Sequence, residues 1–134
     1  MTTFFISSSS RPDIRERTLA LAERLKLLGW GWYDDYCWAD NFETAEDLAE
    51  PEDLQRRIEG NIGGAICADI FIMIDDPTII SRGSNIEFGA RLAALKDSYI
   101  IGGESHPKYL FYLAPSVTLV KDEEALMEAL NARS

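Results

Sequence analysis

Residues 68–96 read ADIFIMIDDPTIISRGSNIEFGARLAALK, and a change of pattern inside them decides the fold. Ile70 to Ile74 is continuously apolar and rich in β-branched isoleucine, as in a central parallel strand covered on both faces. The run stops at Asp75-Asp76-Pro77, and apolar residues return at helical spacing from near Ser84. Phe88, Leu92 and Leu95 share one face of that helix, with Ala90, Ala93 and Ala94 small enough for close approach to a sheet. Strand, acidic turn and helix place Glu87 in a first helical turn at the mouth of a pocket. Unpaired N–H groups and the positive dipole end are expected there to keep its carboxylate ionised and fixed in direction. Such a group is either an ordinary first-turn residue or a nucleophile or ligand clamp.

Upstream, Thr3 to Ile6 is a short β-prone run that gives way to Ser7-Ser8-Ser9-Ser10-Arg11-Pro12. Pro12 suits a first helical turn, where its missing N–H costs nothing. Ile14, Leu19, Leu21, Ala22, Leu25 and Leu28 recur mostly at helical spacing, and Gly29 supplies a stop. A serine-rich turn between strand and helix aims hydroxyls and backbone N–H groups at one spot, as phosphate sites do. Helix capping alone accounts for one serine and not for four in a row. WGWYDDYCW, residues 30–38, predicts a second strand and then a loop. Its tryptophans either cover the edge of the core or form a stacking wall for a planar ring. Residues 40–51 are acidic and aperiodic, a loop in the position of a lid. Residues 53–68 predict a helix with Leu54, Ile58, Ile62, Ala65 and Ile66 on its inward side, despite Gly60, Gly63 and Gly64.

Downstream, Tyr99 to Ile101 predicts a fourth strand ending at Gly102-Gly103, and Val117 to Val120 a fifth. Between them lie a loop with His106 and an aromatic segment, Tyr109 to Leu113. One of Tyr109 and Tyr112 is expected in the core. Residues 122–132 close the chain as a helix with Ala125, Leu126, Ala129 and Leu130 inward.

Alternating strands and helices imply right-handed crossovers and an α/β fold. The expected architecture is a single doubly wound domain over residues 1–134, flavodoxin-like or Rossmann-like. It has a five-stranded, mostly parallel sheet with helices on both faces. Its length and 46% hydrophobic content suit one core. A formal charge of −10 disfavours nucleic acids and anionic membranes as partners, leaving small molecules. No signal-like opening and no apolar run near the roughly twenty residues of a membrane span are present, so a cytoplasmic protein is expected. Cys37 and Cys67 have no metal spacing, and one histidine adds too few ligands for zinc, so neither metal nor cofactor is expected.

Ligands of such sheets bind beyond the carboxyl ends of the strands. The serine turn, the tryptophan loop, Asp75-Asp76 and Glu87 converge on that edge. A carboxylate beside hydroxyls and an aromatic wall is the equipment for cleaving an N-glycosidic bond. A carboxylate stabilises or captures the oxocarbenium-like centre at C1′ while the base departs.

SRGSNIEFGARLA, residues 81–93, is similar to the signature S-x-G-x-x-x-E-x-G-x-A of the nucleoside 2-deoxyribosyltransferase family, which includes 2′-deoxynucleoside 5′-phosphate N-hydrolases. The resemblance extends to the strand-then-serine opening, to ADIFIMI and to HPKYLFYLAPSVTLV, residues 106–120, which is similar to a bacterial and phage branch. It implies that Glu87 is the nucleophile of a deoxyribosyl-enzyme intermediate and that Gly83 and Gly89 are motif glycines. It places Ser81 where monophosphate hydrolases carry serine and free-nucleoside transferases carry aspartate. With Ser7, Ser8, Ser9, Ser10 and Arg11, Ser81 would hold the sugar or a 5′-phosphate, and Trp32, Tyr33 or Trp38 the base. It also implies a homodimer or higher homo-oligomer, in which the loop of His106 reaches a neighbouring site.

At two positions that matter for the chemistry the chain departs from the family. Asn61 stands where the family carries an aspartate that assists the leaving base, and an amide can hydrogen-bond but not deliver a proton. Phe4 stands where a tyrosine often contacts the nucleophile. Asp75 or Asp76 would then replace the acid, or both are turn carboxylates before a proline. Three readings follow: cleavage or transfer of the N-glycosidic bond of a 2′-deoxynucleoside or its 5′-monophosphate, a catalytically silent nucleotide-binding module, and an NAD-type glycohydrolase.

Overall fold

A computed structural model describes residues 1–9, 11–33, 51–76, 78, 81–103 and 109–133. Five strands run through them: β1 (Thr3–Ser7), β2 (Gly31–Trp32), β3 (Ile70–Ile74), β4 (Ser98–Ile101) and β5 (Val117–Val120). Four helices accompany them: α1 (Pro12–Lys26), α2 (Pro51–Cys67), α3 (Arg82–Ala93) and α4 (Glu123–Ala132), with a 3-10 turn at Leu110–Leu113. All strands pair in parallel in the order β2-β1-β3-β4-β5. This is the expected doubly wound α/β fold with the strand order of flavodoxin-like sheets.

Strand alternation divides the core in two. Phe4, Ile6, Ile70, Ile72, Ile74, Ile101 and Val120 pack on α1 and α4 through Ile14, Leu21, Leu25, Leu126 and Leu130. Phe5, Phe71, Met73 and Ile100 face the other way, onto Ala65 of α2, Phe88 of α3 and Tyr112. Burial on both faces explains why β3 is apolar at every position. Asp69 sets the β1–β3 register from outside the core. Its Oδ2 accepts from the Thr3 N–H (2.8 Å) and hydroxyl (3.2 Å), and its own N–H donates to Thr3 Oγ1 (3.1 Å). Gly29, with φ +83°, turns the chain two residues past the Leu27 cap of α1, in a left-handed conformation that a glycine adopts without strain.

Two expected helix faces are corrected. In α2, Ile58 is 64% exposed and Ile66 is also exposed, while Gly64 and Ala65 turn inward. A Cβ at Gly64 would lie 2.2 Å from Phe5 Cδ2, so the helix meets β1 on the side where it has no side chain. Leu54 lies outside the described side chains. In α3 the helix ends before Leu95, which is 88% exposed at φ +58°, and Arg91 takes the buried position instead. Arg91 Nη1 donates to the carbonyls of Ala65 (3.3 Å) and Ala68 (2.6 Å), Nη2 to Asp69 O (3.2 Å) and Nε to Asp97 O (2.9 Å). The last turn of α2 has no basic residue of its own, and a cation from the neighbouring helix satisfies the carbonyls that a helix end leaves unpaired. Among the described residues no helix is long and apolar enough to cross a membrane.

Candidate functional site

In the order β2-β1-β3-β4-β5 the chain leaves β1 toward one side of the sheet and β3 toward the other, so a crevice opens between their carboxyl ends. Ser7 is the last residue of β1 and pairs with Met73, and Asp75 follows two residues after Met73. By alternation Ser7 and Asp75 both face the side that carries α2 and α3.

Glu87 reaches this crevice from α3. The Ser81 hydroxyl caps the helix, accepting from the Ser84 N–H (3.3 Å) and donating to Ser84 Oγ (2.9 Å), so the helix starts at Arg82. Glu87 therefore lies in the second turn, past the free N–H groups, and the expectation of a carboxylate held ionised by the helix end is overturned. It is 9% exposed, and burial pushes its pKa up to about 7. The opposing influence is a hydrogen bond from Ser7 Oγ to Glu87 Oε1 at 3.0 Å.

The serine run does not aim its hydroxyls at one spot. Ser7 bonds to Glu87. Ser8 bonds to Thr18 Oγ1 (2.7 Å), whose own proton goes to Ile14 O (3.1 Å). Ser9 Oγ accepts from the Arg11 N–H (3.2 Å), and the exposed Arg11 guanidinium lies 3.6 Å from Asp13. Ser10 falls outside the described residues.

The aromatic wall is divided by the sheet. Trp32 stacks on Phe4 (centroids 5.8 Å apart) with Lys26 Nζ 5.4 Å from its ring centre, closing the core edge on the α1 side, away from Glu87. Tyr33 lies on the Glu87 side, packed with the Phe5 cluster and beside Gly63 of α2. Trp38, the lid segment and His106 fall outside the described residues. Phe4 also faces α1, so a hydroxyl on its ring would point away from Glu87. Asn61 is half-buried one turn before Gly64, on the Glu87 side of the sheet. Gly83 is exposed, and a Cβ there would meet nothing within 4 Å among the described residues.

Asp75 and Asp76 have different surroundings. Asp76 Oδ1 accepts from the Thr78 N–H (2.8 Å) and hydroxyl (2.6 Å), which hold its pKa below the usual carboxylate range; it is a turn residue. Asp75 Oδ2 accepts from the Tyr112 hydroxyl at 2.6 Å, and burial first, then this bond, push the Tyr112 pKa up. The Tyr112 ring contacts Phe88, the neighbour of Glu87, at 5.6 Å between centroids. A Cβ at Gly102 (φ +87°) would sit 2.4 Å from Asp75 O, so the glycine lets the end of β4 close on this residue. Tyr112 is the tyrosine expected in the core, and its pairing with Asp75 was unforeseen, although the parity of Asp75 with Met73 signalled that both face this side. Among the described residues no three His, Cys, Asp or Glu side chains gather as a metal site. A cavity of about 290 Å³ lined by Asp69, Arg91, Lys96 and Asp97 lies at the opposite, amino-terminal edge of the sheet, where the Arg91 donors are already taken by carbonyls.

No protein-family model matches the chain, and no curated protein matches it. Among solved structures it is similar to BcmB of Clostridium botulinum, described as a CMP N-glycosidase. The TM-score is 0.67 over 99% of this chain and 100% of that one, at 15% sequence identity. At that identity the likeness establishes a common α/β fold.

Proposed function

We propose that this protein cleaves the N-glycosidic bond of a 2′-deoxynucleoside or its 5′-monophosphate, or transfers the sugar to a second base, with Glu87 as nucleophile. The observation that carries the reading is the buried Glu87 carboxylate, bonded to Ser7 at the switch point of the sheet. The fold held in common with a protein described as a CMP N-glycosidase supports it.

In the first step a Glu87 oxygen bonds to C1′, the C1′–N bond breaks, and its electron pair leaves with the base. Asn61 would donate a hydrogen bond to that base without protonating it, so the proton comes from water. In the second step water or an acceptor base bonds to C1′, its proton going to the hydroxide left by the first step, and the Glu87–C1′ ester bond breaks, returning the carboxylate. Two displacements retain configuration at C1′. Burial leaves the nucleophile poorly solvated and therefore reactive once ionised.

The test is incubation with deoxynucleosides, deoxynucleoside and ribonucleoside monophosphates including CMP, and NAD, with and without an acceptor base, followed by chromatography for free base. Release from deoxynucleosides or their monophosphates is expected. Binding without release from any member would leave a silent nucleotide-binding module, and release from NAD alone would move the substrate class.

A further inference from the structure

Among the described residues, Ser7 is the side chain that hydrogen-bonds to Glu87. It is 1% exposed, and its backbone is locked into the sheet opposite Met73, so its hydroxyl is held by a strand rather than a loop. The neighbouring charged groups are committed elsewhere: Arg91, one turn on, binds four carbonyls, and Asp75 is bonded to Tyr112. Phe4, the β1 residue that the family resemblance would place at the nucleophile, packs on the opposite face.

We propose that Ser7 is the positioning residue of the nucleophile, its hydroxyl pinning Oε1 so that Oε2 is the oxygen that bonds to C1′. This rests on the reading of Glu87 as nucleophile. A carboxylate attached by one bond to a helix side chain rotates, and a fixed donor on one oxygen defines its plane. When Oε2 attacks, Oε1 becomes the carbonyl oxygen of the ester, and its bond from Ser7 weakens as charge leaves it. When the ester breaks, charge returns to the carboxylate and the bond strengthens, so Ser7 favours the carboxylate as leaving group. The hydroxyl thus assists the second step more than the first.

The experiment has two independent readouts on wild type, Ser7→Ala and Ser7→Thr. The first follows the Glu87 carboxyl carbon by NMR across pH in protein labelled at glutamate, with Glu87→Gln assigning the signal. The second measures base release and accumulation of the covalent intermediate. Ser7→Ala is expected to raise the Glu87 midpoint, because a hydrogen bond to the charged form is lost. It is also expected to slow turnover by about tenfold or more while the intermediate accumulates. Ser7→Thr, which keeps the hydroxyl, is expected to restore both. An unchanged Glu87 midpoint in Ser7→Ala, or a slowed turnover that Ser7→Thr leaves unrestored, overturns the proposal. Should wild type release no base, the proposed function falls, while the titration still decides whether Ser7 fixes the carboxylate.

Discussion

Glu87→Gln should make the protein more stable above neutral pH and leave it nearly unchanged near pH 4.5. Burial raises the Glu87 pKa from 4.5 to about 7, so between those values the folded protein binds more protons than the unfolded chain. Stability therefore falls as pH rises through that window, and the loss is complete above the folded pKa. At 1.36 kcal/mol per pKa unit, the ionised carboxylate costs the fold about 3 kcal/mol. Glutamine is close in shape, neutral, and keeps an oxygen to accept from Ser7. With an unfolding entropy of about 2 cal/mol/K per residue and 134 residues, the variant should melt about 10 °C above wild type at pH 8. The assay is thermal unfolding of both proteins at pH 4.5 and pH 8, read as the difference of differences so that all other groups cancel. A Tm difference that is the same at both pH values would refute the reasoning, because Glu87 would then be solvated or paired rather than desolvated.

Arg91→Met removes the donor that four carbonyls share. It should lower stability by about 3 kcal/mol or more in urea unfolding, since the bonds to the Ala65 and Ala68 carbonyls are buried and each buried carbonyl left unpaired costs about 1–3 kcal/mol. Gly64→Ala drives a Cβ into the Phe5 ring and should cost about 1–3 kcal/mol, part of it recovered when Phe5→Leu is combined with it. Equal losses in the single and double variants would contradict the contact. Ser81→Asp keeps an acceptor at the α3 cap, so the fold should be retained. Turnover of monophosphates should fall far more than that of free nucleosides, and equal losses would remove the phosphate from this end of the crevice.

How far the sequence could be read depended on whether each residue's neighbours were local. The β3 run, Pro12 at the start of α1, Gly29 after it and the alternation of strands with helices are local signals, and they recovered the parallel sheet and its crevice. Which face a β1 residue occupies was not legible, because Phe4, Phe5, Ile6 and Ser7 are all buried and a strand covered on both sides shows no alternation. That parity separates Phe4 from Glu87 and brings Ser7 to it. Apolar counting also misplaced the inner faces of α2 and α3, since Gly64 packs by lacking a side chain and Arg91 is buried by satisfying carbonyls. Glu87 moved from first turn to second because the capping serine was Ser81 rather than a residue near Ser84. The four-serine turn read as one converging site is instead three separate bonds among its described members.

The nucleophile assignment is tested most directly by the rate of base release from Glu87→Gln, on whichever substrate the panel identifies, with its melting curve recorded on the same sample. The account predicts a folded protein, more stable than wild type at pH 8, whose rate is lower by about three orders of magnitude or more and which forms no covalent sugar adduct by mass spectrometry. A folded Glu87→Gln that releases base within about tenfold of the wild-type rate would contradict it.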